Sequence, residues 1–290
     1  MSSLGVFSLL AIANIAFGAG YPFVKSILVY IEPSQWVFLR AVLSTLVLII
    51  YSRRELLDAA LSLRDILWII VASLFGVVLN QICFVEGLQR TLPAHAAMIN
   101  ATVPLQTLLL GAFFLRESLS ASKIIAIILG FAGILYLLGF GVVGQINPFL
   151  KGDLLSFTNA AMYSVYLIIA RYALGHIQPK VVLTWMTGLG IIGFGIHANW
   201  VLPLNQLAHL PTKIWFYMGY LIVVPSVIGY GIYLWALKRV EASQSALFCY
   251  LQPISSGILS FFLLHDMPEQ RFYVSAGLIL SGIIVGSLKR

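Results

Sequence analysis

The chain has 290 residues, of which 60% are hydrophobic and 9% charged, with a net charge of +7 and a mean hydropathy of +0.98. Soluble domains carry about 25% charged residues, so this composition excludes a water-exposed surface and points to a polytopic membrane protein. The basic excess lies in short polar connections rather than in a basic run, which argues against a nucleic-acid partner.

Ten apolar spans are predicted, at about residues 4–24, 34–51, 66–85, 93–115, 122–140, 153–172, 181–202, 214–235, 243–264 and 271–288. None alternates like a barrel strand, and backbone groups in lipid must pair internally, so all ten read as helices. The first span lacks a basic leader and runs into Gly-Ala-Gly-Tyr-Pro, so it reads as a span rather than a cleaved signal. The longest connection, 52–65, is expected to carry an interfacial turn of helix. Connections after even-numbered spans, with the C-terminus, hold eleven Lys and Arg, against five on the other side. This bias places both termini in the cytoplasm, and the protein in the inner (cytoplasmic) membrane.

Polar residues inside the spans mark the expected site. Span one carries Asn14, then Gly18, Gly20, Tyr21 and Pro22; span two carries Trp36 and Arg40, one turn apart. Arg40 either snorkels to the headgroups, with Glu32 as a possible partner, or faces a cavity where it would hold a carboxylate. Span three adds Asn80, Gln81 and Phe84, followed by Glu86 and Arg90, which either pair at i,i+4 or leave Glu86 as a proton relay. Span four holds His95, a turn-capping or proton-coupling histidine, then Asn100 and Pro104. Pro104 frees the carbonyl of Asn100 and kinks the span near its middle; Pro253 repeats the kink in span nine. Later spans contribute Asn159 and Tyr163, Trp185, Tyr230 and Tyr233, and Tyr250 and Gln252. Cys83 and Cys249 have no metal or redox spacing, and nothing implies a cofactor. No P-loop or other ATP-binding pattern is present, and the spans hold no carboxylate pair.

A long stretch, Gly87 to Leu137, repeats from Ala236 at a constant offset of 149 residues without a gap: Leu88 falls on Leu237, Pro104 on Pro253, Glu117 on Asp266 and Gly133 on Gly282. Five spans per copy is an odd number, so the second copy enters the membrane inverted, the plan of many secondary transporters. The fold expected is all-α, with ten transmembrane helices in two inverted five-helix repeats, at 1–140 and 153–288.

The segment PAHAAMINATVPLQTLLLGAFFLRESLSASKIIAIILGFAGILYL resembles the signature of the drug/metabolite transporter superfamily, in particular its EamA-type ten-helix permeases. The shared elements are an Ala-rich helix start, a mid-helix Pro and the turn Leu115, Glu117, Leu119. The second copy is a weaker match, with Leu264, Asp266 and Pro268. The resemblance implies a basket of spans one to four and six to nine around a central cavity, with spans five and ten outside. Aromatic-rich cavities of the family are similar to Trp36, Tyr163, Trp185, Tyr230 and Tyr233 here. The function expected is secondary transport of a small organic metabolite by alternating access, foremost amino-acid export, by a monomer or homodimer and without enzymatic activity. A multidrug exporter of cations and an exchanger of an anionic metabolite are the alternatives; a membrane-embedded enzyme or scaffold is the contrasting class.

Overall fold

Among the described residues, helices account for all the regular structure, as they must where water cannot satisfy backbone groups. The computed structural model describes residues 3–117, 120–137 and 149–264, and beyond these 274, 277, 278, 280–282, 284 and 285. No strand occurs among the described residues. Among the described residues, seven helical spans are long and apolar enough to cross a bilayer: Leu4–Ile27, Pro33–Tyr51, Leu63–Arg90, Leu150–Ala173, Pro179–His197, Thr212–Leu237 and Ala242–Leu263. Val103–Phe114 and Ala121–Gly133 are shorter apolar helices. The chain is therefore an all-α polytopic membrane protein. Most of the predicted tenth span, with Asp266 and Pro268, lies outside the described residues.

The elements in order are α1 (Ser3–Ile27), α2 (Pro33–Tyr51), α3 (Arg53–Leu57), α4 (Leu63–Ser73), α5 (Asn80–Arg90), α6 (Pro93–Asn100), α7 (Val103–Phe114), α8 (Ala121–Leu137), α9 (Leu150–Ala173), α10 (Pro179–His197), α11 (Leu204–Leu207), α12 (Thr212–Val223), α13 (Tyr230–Leu237), α14 (Ala242–Ala246) and α15 (Leu251–Leu264). Prolines open α2, α6 and α10, where a missing N–H costs nothing. Ser62 and Asp65 form a reciprocal capping box at the start of α4. The short α3 occupies the 52–65 connection and buries none of its residues.

Three long spans depart from simple α-helix. A π-helical turn, Leu74–Leu79, joins α4 to α5, and a second, Val224–Gly229, joins α12 to α13. In the second, Pro225 has no N–H to give, and the Ser226 hydroxyl donates to the Leu221 carbonyl at 2.7 Å. In the first, Gly76 lies flat against Tyr166; a Cβ there would fall 2.4 Å from the ring. The span around Pro253 tightens into a 3₁₀ turn, Leu247–Tyr250. The span around Pro104 is broken into α6 and α7 by a turn at Ala101 and Thr102.

The core is built on two interior helices. α1 packs on α15 and on the α12–α13 span; α9 packs on α5 and on α6 and α7; α2 crosses α10. Each interior helix also ends in a cation that closes a neighbour. Lys25 donates to the carbonyls of Leu88, Gln89 and Thr91, at 2.7, 3.1 and 2.9 Å, at the C-terminus of α5. Arg171 donates to the carbonyl of Leu237, the last residue of α13. Both satisfy carbonyls that a helix end leaves open.

The Lys25 end of the bundle also carries Glu86 paired with Arg90, and Thr91 donating to Asp153 at 2.6 Å. The opposite end is tied by Glu117, which accepts from the N–H groups of Ala242 and Ser243 and from the Ser243 hydroxyl, capping α14. Lys123 pairs with Glu241 beside it. Lys180 donates to Glu55 at 2.8 Å and holds that carboxyl below the usual carboxylate range.

Candidate functional site

A cavity at the middle of the bundle is bounded by α1, α2, α5, α6, α9, α15 and the α12–α13 span. Its lining includes Arg40, Asn80, Gln81, Phe84, Asn100, Asn159, Tyr163, Tyr230 and Gln252. Room for water centres amounts to about 80 Å³, enough for a few waters. Val24, Phe84 and Leu221 carry the lining toward the Lys25 end.

The π-turns place the polar groups. Asn80 and Gln81 follow the first turn directly, and Tyr230 follows the second. Gln81 Nε2 donates to the Tyr230 hydroxyl at 3.1 Å, joining the two spans across the cavity. These two residues stand 149 positions apart, the spacing of the repeat. Asn80 and Asn159 exchange hydrogen bonds with each other's backbone carbonyls, at 3.1 and 2.9 Å, and so fix α5 against α9.

Among the described residues, Arg40 is the only charged side chain of the lining. Its Nε donates to Ser226 Oγ at 3.0 Å, and that hydroxyl is itself held by the Leu221 carbonyl of α12. No ion pair among the described residues includes Arg40, so the possible Glu32 partnership does not form. Two turns of α2 separate the residues, and Glu32 stands exposed ahead of the helix. Gln81 Oε1 is buried without a hydrogen-bond partner. The cavity therefore offers a guanidinium with no carboxylate and an open amide acceptor. A second, smaller and more apolar cavity lies behind Arg40, Gln81 and Tyr230, lined by Val37, Ser44, Leu183 and Phe194.

Beneath the cavity runs a buried chain of side chains. Asn100 Nδ2 donates to Gln252 Oε1 at 2.9 Å, and Gln252 Nε2 donates to Asn14 Oδ1 at 2.9 Å. Asn14 Nδ2 donates to the Leu10 carbonyl at 2.8 Å and meets the Tyr233 hydroxyl at 3.3 Å. Tyr233 in turn donates to the Ser245 carbonyl at 2.9 Å. This chain ties α6, α15, α1, α13 and α14 together. Buried side-chain hydrogen bonds thus hold the floor together across five helices.

The residues singled out in the sequence thus separate into groups. Arg40, Asn80, Gln81, Phe84, Asn100, Asn159, Tyr163, Tyr230 and Gln252 meet at the cavity. Asn14 and Tyr233 lie in the floor behind it. Trp36 is fully buried among apolar neighbours, and Tyr250 packs against Gly130 of α8. Trp185 is 48% exposed on the outside of the bundle, away from the cavity. Helix position alone cannot separate these cases, because the spans are apolar on every face. Glu86 pairs with Arg90 and approaches His197 at 3.4 Å, near the Lys25 end and outside the lining. The side chain of His95, on α6, lies outside the described residues. Pro104 and Pro253 each follow an irregular turn by a few residues. Sequence reasoning did not assign Phe17, Leu221 or Ser226 to the site. Only Ser226 had a signal, a hydroxyl next to an intrahelical proline.

Among the described residues no group of three His, Cys, Asp or Glu could hold a metal ion. A family model, the EamA-like transporter family, matches residues 4–139 and again 150–288. The uncharacterized transporter YyaM of Bacillus subtilis (strain 168) is 24% identical over 99% of this chain and 95% of its own length. YetK of the same organism, also an uncharacterized transporter, is 25% identical over 80% of this chain and 71% of its own. An uncharacterized transporter of Archaeoglobus fulgidus is 22% identical over 97% of each chain. A solved crystal structure superposes with a TM-score of 0.73 at 20% identity, over 96% of this chain and 94% of the other, and shows the same fold. With two matches that together span nearly the whole chain, around a polar cavity inside a bundle of apolar helices, this protein is a member of the EamA-like transporter family, a multi-pass membrane transporter of small molecules.

Proposed function

We propose that the protein is a secondary carrier for a small metabolite bearing a carboxylate, foremost an amino acid, and that it works in export by alternating access. The observation that carries this reading is Arg40, a cation on the cavity wall with a hydroxyl anchor and no carboxylate partner. A buried guanidinium left without a counter-ion is costly, and an anionic group of a substrate removes that cost. Gln81 Oε1 and the ring faces of Phe84, Tyr163 and Tyr230 suit the amine and apolar parts of an amino acid. No Asp or Glu among the described residues lines the cavity, which argues against a carrier of apolar cations. An exchanger of anionic metabolites would use the same Arg40 and is the second reading.

Alternating access needs two shapes of similar energy, and inverted halves supply them by exchanging conformations. The two π-turns, the Gln81–Tyr230 contact at the repeat spacing, and the caps on Leu88 and Leu237 support two inverted units at 1–140 and 153–288, and with them ten spans. Under the charge asymmetry of the connections, the Lys25 end faces outward and both termini face the cytoplasm of a cell bounded by this membrane. The small cavity and its sealed floor require the helices to part before a substrate can pass. Counterflow in proteoliposomes tests the reading. Accelerated exchange of one or more amino acids is expected, and it should be lost in Arg40→Gln inserted at wild-type level. Exchange by Arg40→Gln equal to wild type would remove the carboxylate role.

A further inference from the structure

Two hollows on the outside of the bundle share a wall. One, of about 500 Å³, lies at the Lys180 end between the start of α4 and the end of α9, lined by Ser62, Arg64, Asp65, Trp68, Tyr172 and His176. The other, of about 430 Å³, continues from Trp68 and Tyr172 along the bundle as an apolar groove. Leu110 and Phe114 of α7, with Leu115 just after it, form one side of it, and Val165, Ile168 and Ile169 of α9 the other. The shape is amphipathic, with a polar mouth, an aromatic collar and a hydrocarbon trough. Trp68 and Tyr172 meet edge to face at 6.1 Å, and both residue types favour the headgroup level of a bilayer.

The charges at the mouth are not all spent. Asp65 is held by the Ser62 cap and by His176 at 2.8 Å. Arg64 is exposed, and no ion pair among the described residues includes it. Arg116 follows the groove residue Leu115, is also exposed, and has a φ of 54°. No ion pair among the described residues includes Arg116 either. Positive φ is strained for a residue with a Cβ, so the turn that presents this guanidinium is held by its surroundings.

We propose that this amphipathic hollow is a binding site for an anionic phospholipid, with one acyl chain along the α7–α9 groove and the headgroup phosphate at Arg64 and Arg116. The occupant is set by charge and shape together. The groove is lined by apolar side chains below its aromatic collar, so an acyl chain suits it better than water. Its mouth joins the guanidinium of Arg64 to an aromatic collar, and Arg116 follows the groove residue Leu115 in the chain, a combination that matches a phosphodiester above an acyl chain. The bound lipid would bridge the α4–α5 span, α7 and α9, of which the first and the last also bound the cavity. It would thus act on their relative position, independently of which solute is carried.

The test uses full-length protein purified in detergent and stripped of lipid. Phosphatidylglycerol and phosphatidylcholine are added back separately, and retained lipid is counted by native mass spectrometry while unfolding temperature is recorded. Phosphatidylglycerol is expected to be retained about tenfold more tightly than phosphatidylcholine and to raise the unfolding temperature more. Arg64→Gln with Arg116→Gln should remove that preference, whereas Arg53→Gln with Arg54→Gln, the same charge lost from the same end, should keep it. Val165→Trp, which fills the groove, should lower retention of both lipids. Equal retention of the two lipids by the wild-type protein would overturn the proposal. So would a preference that survives the Arg64 and Arg116 changes, or one that falls equally with the Arg53 and Arg54 pair. These readouts do not involve transport, so they stand apart from the fate of the carboxylate reading.

Discussion

Arg40 shows how one side chain gains a role from its anchor. Its Nε is tied to Ser226, which leaves the two terminal nitrogens of the fork for a ligand. A charge-assisted hydrogen bond contributes about 1.5–3 kcal/mol, so Arg40→Lys, which keeps the charge but loses the fork, should weaken substrate binding roughly tenfold or more in equilibrium binding. Ser226→Ala removes the anchor and the hydroxyl that donates to the Leu221 carbonyl of α12. KM for a carboxylate substrate should rise several-fold with kcat little changed, and Ser226→Thr should restore it; an unchanged KM would separate Ser226 from the site. Glu117 contributes to stability in a different way, by capping the start of α14 through two backbone N–H groups and a hydroxyl. Glu117→Ala should lower stability by about 1–2 kcal/mol, the usual cost of losing a cap, as read by thermal unfolding.

At the scale of the element, the interior seams depend on close backbone approach. Gly18 of α1 lies so near α15 that a Cβ would fall 1.9 Å from Ser255 Oγ and 2.5 Å from the Gln252 carbonyl oxygen. Backbone cannot yield as a flexible side chain does, so Gly18→Ala should push α1 from α15 and break the Asn14–Gln252 bond. A loss of about 1–3 kcal/mol is expected from such overpacking. Gly219 is the control: nothing lies within 4 Å of its Cβ position, so Gly219→Ala should leave the unfolding temperature equal or higher. The π-turns belong to this scale too. Each inserts an extra residue into a span and turns Asn80, Gln81 or Tyr230 toward the cavity, a rotation that α-helical periodicity does not supply.

Across the whole molecule, the Lys123–Glu241 pair and the Glu117 cap tie the end of the bundle that lies below the sealed floor. Under alternating access these ties hold one conformation, and weakening them favours the other. Cys249 reports the change, since it is buried beside Tyr233 in the floor, with Sγ 3.5 Å from that hydroxyl. In a Cys83→Ser background, maleimide labelling of Cys249 should be slow and should accelerate several-fold in Glu241→Gln. Identical rates would show that the pair does not govern access from that end.

Composition alone determined the solvent of this protein, because 9% charged residues cannot cover a soluble surface. The apolar runs determined helices, since lipid offers no partner for an unpaired backbone group. The gapless repeat and its Pro-containing segments were legible in the residues, and the breaks beside Pro104 and Pro253 have a local cause in the missing N–H. What the residues could not decide was direction. In spans apolar all round, no stripe tells a cavity-facing side chain from a lipid-facing one. Trp185 and Tyr163 are equally plausible aromatics in the sequence, yet one is half exposed on the outer face and the other lines the cavity. The first π-turn carries no proline and left no local mark, because packing of Gly76 on Tyr166 accompanies it. Ser226 and Arg40 stand 186 residues apart, and their bond exists only because two packed helices bring a hydroxyl beside a guanidinium. Tertiary packing decided which polar groups meet, and with them the site.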